Sequence, residues 1–551
     1  MTDRVLVIGG YGVFGGKLCQ ALAALPDCDV IVAGRSLAKA QAFCDRHGGI
    51  AMAVDRAAPD LAARIARAAP CVVIDAAGPF QSYGKAPYTV ARAALACGAH
   101  YADLSDDAAF SAGISMLDAQ ARAKGLAVIS GASSVPGLSS AAVTDLAADF
   151  TEVLRIDSAI LPGNRAPRGL SVMRAILAQA GQPMTIHRGG HAVSVSGWSA
   201  ARRETLAVAG LAPLRRWASY IGAPDLQLFP AHFNARTVTF RAGLELPILH
   251  FSLWALSLPV RRGLLRSLEP CARPLRRIAQ AFEPFGSDRG GMVVRVLGRK
   301  AGGLCERRSW TLIAEAGDGP HIPALAARII CAKALAGTLP PGARPCLGAF
   351  DLQDITQMAK GLAVTTETSQ EVVTPLYRQA LGPAFDTLPA PVRALHETVD
   401  DTLWRGTAEV QTGRSPLAAV VRRLVGFPRS GTAVPVRVAI RRDGDREIWL
   451  RDFGGKRFHS KMTLAGPAGA GRVAERFGPF RFVIALEPRA GGLGFPVVGG
   501  WFLGLPLPRR LLPTSNTQES GNDGRFRFDV SIRLPLAGLV VRYRGDLRAA
   551  K

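Results

Sequence analysis

The sequence predicts an α/β protein built from three segments. A doubly wound parallel sheet occupies roughly residues 1–130, an α/β segment 131–365, and a mainly antiparallel β segment 371–551. Three observations lead there. Short β-branched runs alternate with helical patterns along the first 130 residues. A glycine-rich turn joins the first run directly to the first helix. Beyond residue 370, strand-like runs separated by Gly-rich turns dominate.

Residues 5–8 read as a fully buried strand, followed at once by Gly9-Gly10-Tyr11-Gly12-Val13-Phe14-Gly15-Gly16 and a predicted helix over 17–25. Gly10, Gly12 and Gly15 satisfy the spacing G-x-G-x-x-G. In such a turn the first glycine permits the bend, the second lets a pyrophosphate approach the backbone, and the third lets the helix pack closely on the strand. The phosphates then rest on free N–H groups at the helix N-terminus. The pattern points to a Rossmann unit that binds a dinucleotide, with Gly10, Tyr11, Gly12, Val13, Phe14 and Gly15 around the cofactor.

The second strand, 30–33, ends in Gly34-Arg35-Ser36. An acidic residue there would bond a ribose 2′-hydroxyl. Asp27 and Asp29 instead precede the strand, at its wrong end. Arg35 can pair with a 2′-phosphate, and Ser36 can donate to it or cap the next helix, so NADP is favoured over NAD. A third strand, 51–54, ends at Asp55, placed to face the adenine. A helix over 61–68 and a strand over 71–74 lead to Asp75-Ala76-Ala77-Gly78-Pro79-Phe80. Ala77, Gly78 and Pro79 fall at the carboxyl end of a central strand, where doubly wound sheets bind ligands. A helix over 87–97 and strands over 100–103 and 127–130 complete the unit.

The chain of 551 residues has a net charge of +24, which favours anionic partners. It carries no basic block interleaved with aromatics and no nucleic-acid module, so a small-molecule substrate is expected rather than nucleic acid. None of the nine cysteines forms a C-x-x-C pair, which indicates a reducing compartment with neither a disulfide framework nor a zinc site. The N-terminus runs straight into a strand with no signal peptide, and a cytoplasmic location is expected. The P-loop spacing, a tyrosine followed four residues later by lysine, H-E-x-x-H and G-x-S-x-G are all absent. His187 and His191 are separated by Gly189-Gly190, which reads as a loop rather than a helical metal pair, so no metal is expected.

In the middle segment, 153–160, 292–296 and 310–314 alternate as strands, and 322–336 reads as a helix. Residues 246–260 are the most apolar stretch, short of the ~20 residues needed to span a bilayer. Arg261, Arg262, Arg266, Arg273, Arg276 and Arg277 follow it. Two readings stand: peripheral contact with an anionic membrane through 246–277, or a buried core or homodimer helix with a solvated arginine tail. Thr365 to Ser369 forms a polar break, with a boundary near 370. Strands follow at 434–441, 447–451, 457–464, 480–487, 525–534 and 539–543. The apolar stretch 493–512 is too interrupted by Pro and Gly to be a spanning helix. It is either a pocket lining for an apolar ligand or a core loop.

Four pieces in order resemble saccharopine-dehydrogenase-like oxidoreductases. They are the Gly10–Gly15 turn, Ala77-Gly78-Pro79-Phe80, Ala96-Cys97-Gly98-Ala99-His100-Tyr101-Ala102-Asp103, and Gly131-Ala132-Ser133-Ser134-Val135-Pro136-Gly137. The resemblance implies a Rossmann domain, an α/β substrate domain whose late helices (322–336 here) return to the first domain, and hydride transfer between NAD(P) and a carbon–nitrogen bond. His100, Tyr101 and Asp103 are the candidate proton-transfer residues, the alternative being packing roles for the first two and a helix cap for Asp103. The last third resembles the domain of unknown function DUF4166 through Leu376-Tyr377, Arg451-Asp452-Phe453-Gly454-Gly455 and Arg525-Phe526-Arg527-Phe528-Asp529-Val530. The expectation is an NADP-dependent oxidoreductase. Its alternative is a non-catalytic NADP-binding or lipid- and membrane-associated scaffold.

Overall fold

Val5, Leu6 and Val7 are wholly buried in the middle of a parallel sheet. The computed structural model describes residues 3–25, 27–84, 86–167 and 169–550. The chain divides into two compact units, Met1–Glu371 and Val372–Lys551.

The first unit opens with β1 (Asp3–Ile8), α1 (Val13–Ala23), β2 (Cys28–Gly34), α2 (Leu37–His47), β3 (Ile50–Ala53), α3 (Leu61–Ala68), β4 (Val72–Asp75), α4 (Thr89–Ala96), β5 (His100–Asp103) and β6 (Ala127–Ser130). The sheet runs β6-β5-β4-β1-β2-β3, with the strand Gly342–Pro345 added parallel beyond β6. Every pairing in it is parallel. Apolar residues must cover both faces of such a sheet, which is why its strands read as continuous rather than alternating runs.

Two features differ from the sequence expectation here, the start of the first helix and a seventh strand. The first helix begins at Val13, not residue 17, so the glycine turn ends at Gly12 and Gly15 lies inside the first helical turn. A seventh strand arrives from residues 342–345, deep in what reads as the substrate segment. Ahead of it, the helix Ile322–Leu335 packs against α1 and against β4 and β5. Its Leu325, Ala326, Ala327, Ile330 and Cys331 are almost fully buried, so it is a core element of the first sheet.

A nine-stranded mixed sheet follows in the same unit. Its central strand Phe150–Leu161 pairs parallel with Thr237–Leu244 and antiparallel with Gly290–Lys300, which pairs in turn with Cys305–Ala314. His187 and His191 lie on a β-hairpin, Pro183–Arg188 with Met184 opposite Val195, rather than on a loop. Gly189 and Gly190 form its two-residue turn, both with positive φ (55° and 84°), as a type I′ turn demands. The polar run 365–369 belongs to the edge strand Val364–Val372, and the two units divide close to the expected boundary near 370, after Glu371.

The second unit is built on a 14-stranded sheet in which every recorded pairing is antiparallel. Its core includes Tyr377, Phe385, Trp404, Trp449, Phe453 and Tyr543. The stretch 493–512 resolves into the short strands Val497–Phe502 and Leu505–Pro506 and a 3-10 turn, Arg509–Leu511.

Candidate functional site

The carboxyl ends of β1 and β4 meet where the strand order reverses, which leaves a crevice between the loops that follow them. Gly9, not Gly10, makes the bend: its φ is +82°, and a Cβ there would lie 2.8 Å from the Ala76 carbonyl carbon. Gly10 serves packing instead, since a Cβ would come within 2.9 Å of the Val7 oxygen and 3.0 Å of the Cys19 sulfur. A Cβ on Gly15 would overlap the Gly9 carbonyl oxygen, so only glycine lets α1 sit this close to β1.

Gly12 donates its N–H to the Gly9 carbonyl at 2.9 Å and leads into α1. No side chain caps α1, and its first turn holds no acidic residue. Its leading N–H groups and its positive dipole end are thus left for an anionic ligand. A dinucleotide pyrophosphate fits this cradle. Tyr11, Val13 and Phe14 lie along it, with Phe14 half-buried against the core.

Tyr11 ties the cradle to the end of β2. Its hydroxyl accepts the Ser36 backbone N–H at 3.1 Å. Its ring lies on Gly34, where a Cβ would stand 2.6 Å from the phenol oxygen. Ser36 also caps α2, its Oγ accepting the Lys39 N–H at 3.4 Å. Arg35 is exposed beside it, with no acidic residue at this strand end. Asp55, at the end of the third strand, is exposed and accepts the Ala57 N–H at 3.0 Å.

The loop Ala77-Gly78-Pro79 is held from beneath by Asp75, a fully buried carboxyl. Asp75 accepts the Ala77 N–H at 3.0 Å and the Tyr83 hydroxyl at 3.1 Å. Burial pushes its pKa up to about 6 against the lowering effect of these bonds and of Arg56. The Arg56 guanidinium lies over the Tyr83 ring, 3.5 Å from its centroid.

The three residues expected to move protons are placed otherwise. His100 is the first residue of β5, at the amino end of the strand, opposite the cofactor crevice. Its Nδ1 accepts the Ala127 N–H at 3.0 Å, and burial lowers its pKa. Tyr101 is buried inside the sheet, its pKa raised well above the usual range by burial and then by Asp103. Asp103 is fully buried, and its Oδ1 accepts from Ser105 N (2.9 Å), Ser130 Oγ (3.0 Å) and Gly131 N (2.8 Å). It anchors two loops, with its pKa pushed up to about 7 by burial. His100 thus sits at the strand end away from the crevice and Tyr101 inside the sheet, while Asp103, at the carboxyl end of β5, is sealed beneath the loops it bonds.

Two clefts lie near these loops. A cleft of about 340 Å³ is lined by Val13 of the glycine turn and by Met173, Arg276, Gln280 and Glu283. A second, of about 510 Å³, lies between loops of the first sheet (Gln81, Asp106, Asp107) and the other sheet (Gln179, Thr185, His187). Gln81 Nε2 donates to Asp106 at 3.1 Å, and Asp107 caps the helix Ala108–Gly113. The His187 Nδ1 is buried without a hydrogen-bond partner. Sequence reasoning assigned neither His187 nor Arg276 to a cleft. For His187 the signal existed: Gly-Gly between two alternating runs marks a hairpin, and a strand position would have aimed its ring at one face. Among the described residues no group of three or more His, Cys, Asp or Glu side chains is placed to hold a metal.

Residues 5–129 match the saccharopine dehydrogenase NADP binding domain, and residues 388–547 match the domain of unknown function DUF4166. No curated protein matches the chain. Among solved structures it is similar to apo saccharopine dehydrogenase (L-Glu forming) from Saccharomyces cerevisiae, at 16% identity and TM-score 0.49, over 67% of this chain and 100% of that one. It is also similar to KijD10, a 3-ketoreductase from Actinomadura kijaniata in complex with NADP and TDP-benzene, at 15% identity and TM-score 0.30, over 65% and 95% of the two chains. The chain thus joins a saccharopine-dehydrogenase-type NADP binding domain to a C-terminal DUF4166 domain.

Proposed function

We propose that this protein is an NADP-dependent oxidoreductase that acts on a small molecule at a carbon–nitrogen or carbonyl bond. The observation that carries the reading is the uncapped glycine cradle of Gly9, Gly12 and Gly15, whose Tyr11 bonds Ser36 next to the exposed Arg35 and whose Val13 lines a cleft with Arg276. When bound, the nicotinamide supplies the hydride chemistry, and the protein supplies position and charge. Gly12 and the first turn of α1 would hold the pyrophosphate, and Arg35 and Ser36 the 2′-phosphate. Ala77, Gly78 and Pro79 would wall the crevice. The larger cleft would take the substrate, with His187 the group placed to exchange a proton there.

One observation favours a second reading, a non-catalytic NADP-binding protein: His100, Tyr101 and Asp103 line neither cleft. Titration of NADPH and NADH fluorescence tests the shared part of both readings, with NADPH binding the tighter. Loss of NADPH absorbance against a panel of imines, ketones and carbonyl–amine pairs separates them. Turnover that His187→Gln slows supports the enzyme, whereas binding without turnover supports the second reading.

A further inference from the structure

The helix Pro247–Arg261 buries one face and leaves apolar residues on the other. His250, Leu253, Ser257 and Val260 point inward and are buried. The His250 Nε2 bonds Ser219 Oγ at 3.0 Å, and the His250 carbonyl accepts the Trp198 indole N–H at 3.0 Å. These contacts fix which face is inside. At 100° per residue the outward arc carries Ile248, Phe251, Ser252, Trp254, Ala255 and Leu256, all exposed and only Ser252 polar. A helix at a protein–water boundary normally turns polar residues outward. Leu264 and Leu265, just past the helix, extend the patch and are 74% and 49% exposed.

The sequence that carries this patch is mainly basic. Between residues 246 and 282 the sequence holds six arginines and a single carboxylate, Glu269. Two of those arginines are committed: Arg261 donates to the Trp198 carbonyl, and Arg276 lines the cleft beside Val13. Arg262, Arg266, Arg273 and Arg277 remain exposed. A second copy docked through a two-fold axis would bring these cations toward their own images, with Glu269 the one carboxylate among residues 246–282 to offset them. An anionic surface meets both the charge and the apolar arc.

We propose that this face docks on the surface of a bilayer containing anionic phospholipid, with Ile248, Phe251, Trp254, Leu264 and Leu265 entering the interface and the exposed arginines meeting the headgroups. The helix lies in the plane of the membrane. Its 15 residues span about 22 Å, less than the ~30 Å of a hydrocarbon core, and among the described residues no helix is long and apolar enough to cross. Trp254 suits the headgroup level, where indole rings are enriched. The proposal stands apart from the cofactor reading, since none of these five residues lines either cleft.

The test is co-sedimentation of the full chain with phosphatidylcholine vesicles, with and without 30% phosphatidylglycerol. The variants are the pair Trp254→Asp and Leu264→Asp, and separately the pair Arg262→Glu and Arg266→Glu. Thermal unfolding and NADPH titration report whether each variant remains folded. The expected result is at least tenfold more sedimentation with the anionic vesicles, reduced by 0.5 M salt and lowered about tenfold by either pair. No preference for anionic vesicles by the wild type overturns the proposal, as does sedimentation unchanged in both folded variants. A wild-type dimer that Trp254→Asp converts to a monomer, with vesicle binding unaffected, assigns the face to a second copy and also overturns it.

Discussion

Asp75 and Asp103 stand opposite one another in register at the carboxyl ends of β4 and β5, and both are fully buried. Each accepts backbone N–H groups from the loops above it, Ala77 for one and Ser105 and Gly131 for the other. The pair pins the loops that wall the cofactor crevice, at the cost of keeping two carboxyls out of water.

That cost sets a pH dependence. Burial raises Asp75 from an ordinary value of 3.8 to about 6, and Asp103 from 3.8 to about 7. The folded state therefore binds these protons more tightly than the unfolded chain does. The resulting contribution to stability is fully present below about pH 4 and is lost progressively as pH rises to about 7. Asp103→Asn keeps an oxygen to accept the three N–H and O–H donors and removes the titration. Its melting temperature should fall less than that of the wild type between pH 5 and pH 8. Parallel pH profiles for the two proteins would refute the assignment.

Gly15→Ala places a methyl group against the Gly9 carbonyl oxygen and pushes α1 off β1. Overpacking of this kind costs about 1–3 kcal/mol. The expected result is a lower melting temperature together with at least a tenfold loss of NADPH affinity, read by fluorescence titration.

Arg35→Asp replaces a cation at the end of β2 with the acid that would suit a ribose hydroxyl. A charge-assisted hydrogen bond is worth about 1.5–3 kcal/mol. NADPH affinity should fall between about tenfold and a hundredfold, while NADH affinity holds or rises. Equal losses for both nucleotides would remove Arg35 from the 2′-phosphate site.

In the second unit, Glu447 is buried and paired with Arg442 at 3.3 Å, and it accepts the Trp449 indole N–H at 3.1 Å. Glu447→Ala leaves a buried guanidinium without this partner, a loss of about 3–5 kcal/mol for such a pair. The C-terminal unit should unfold at a lower temperature, and NADPH affinity in the first unit should stay unchanged. Calorimetry of the full chain alongside the titration checks both halves.

The sequence by itself determined the chemistry that is local. The G-x-G-x-x-G spacing, the buried β-branched runs and the absence of an acid after Ala33 all lie within a few residues of one another. Each reports a backbone or burial requirement that the neighbouring residues share. The helix near 247–261 and the turn to antiparallel strands after residue 370 were legible for the same reason. Tertiary structure alone decided what meets across the chain. The strand Gly342–Pro345 completes the first sheet beside β6, yet four residues in a parallel pairing leave no periodic signal of their partner. Arg276 comes to the glycine turn from more than 250 residues away, and His187 to the loops after β4 and β5 from a different sheet. Register placed His100 at the far end of β5 and sealed Asp103 beneath two loops. Periodicity records which face of an element is apolar. Whether a core or solvent lies against that face is settled only when the elements pack, which is how the outer arc of the helix Pro247–Arg261 came to be bare.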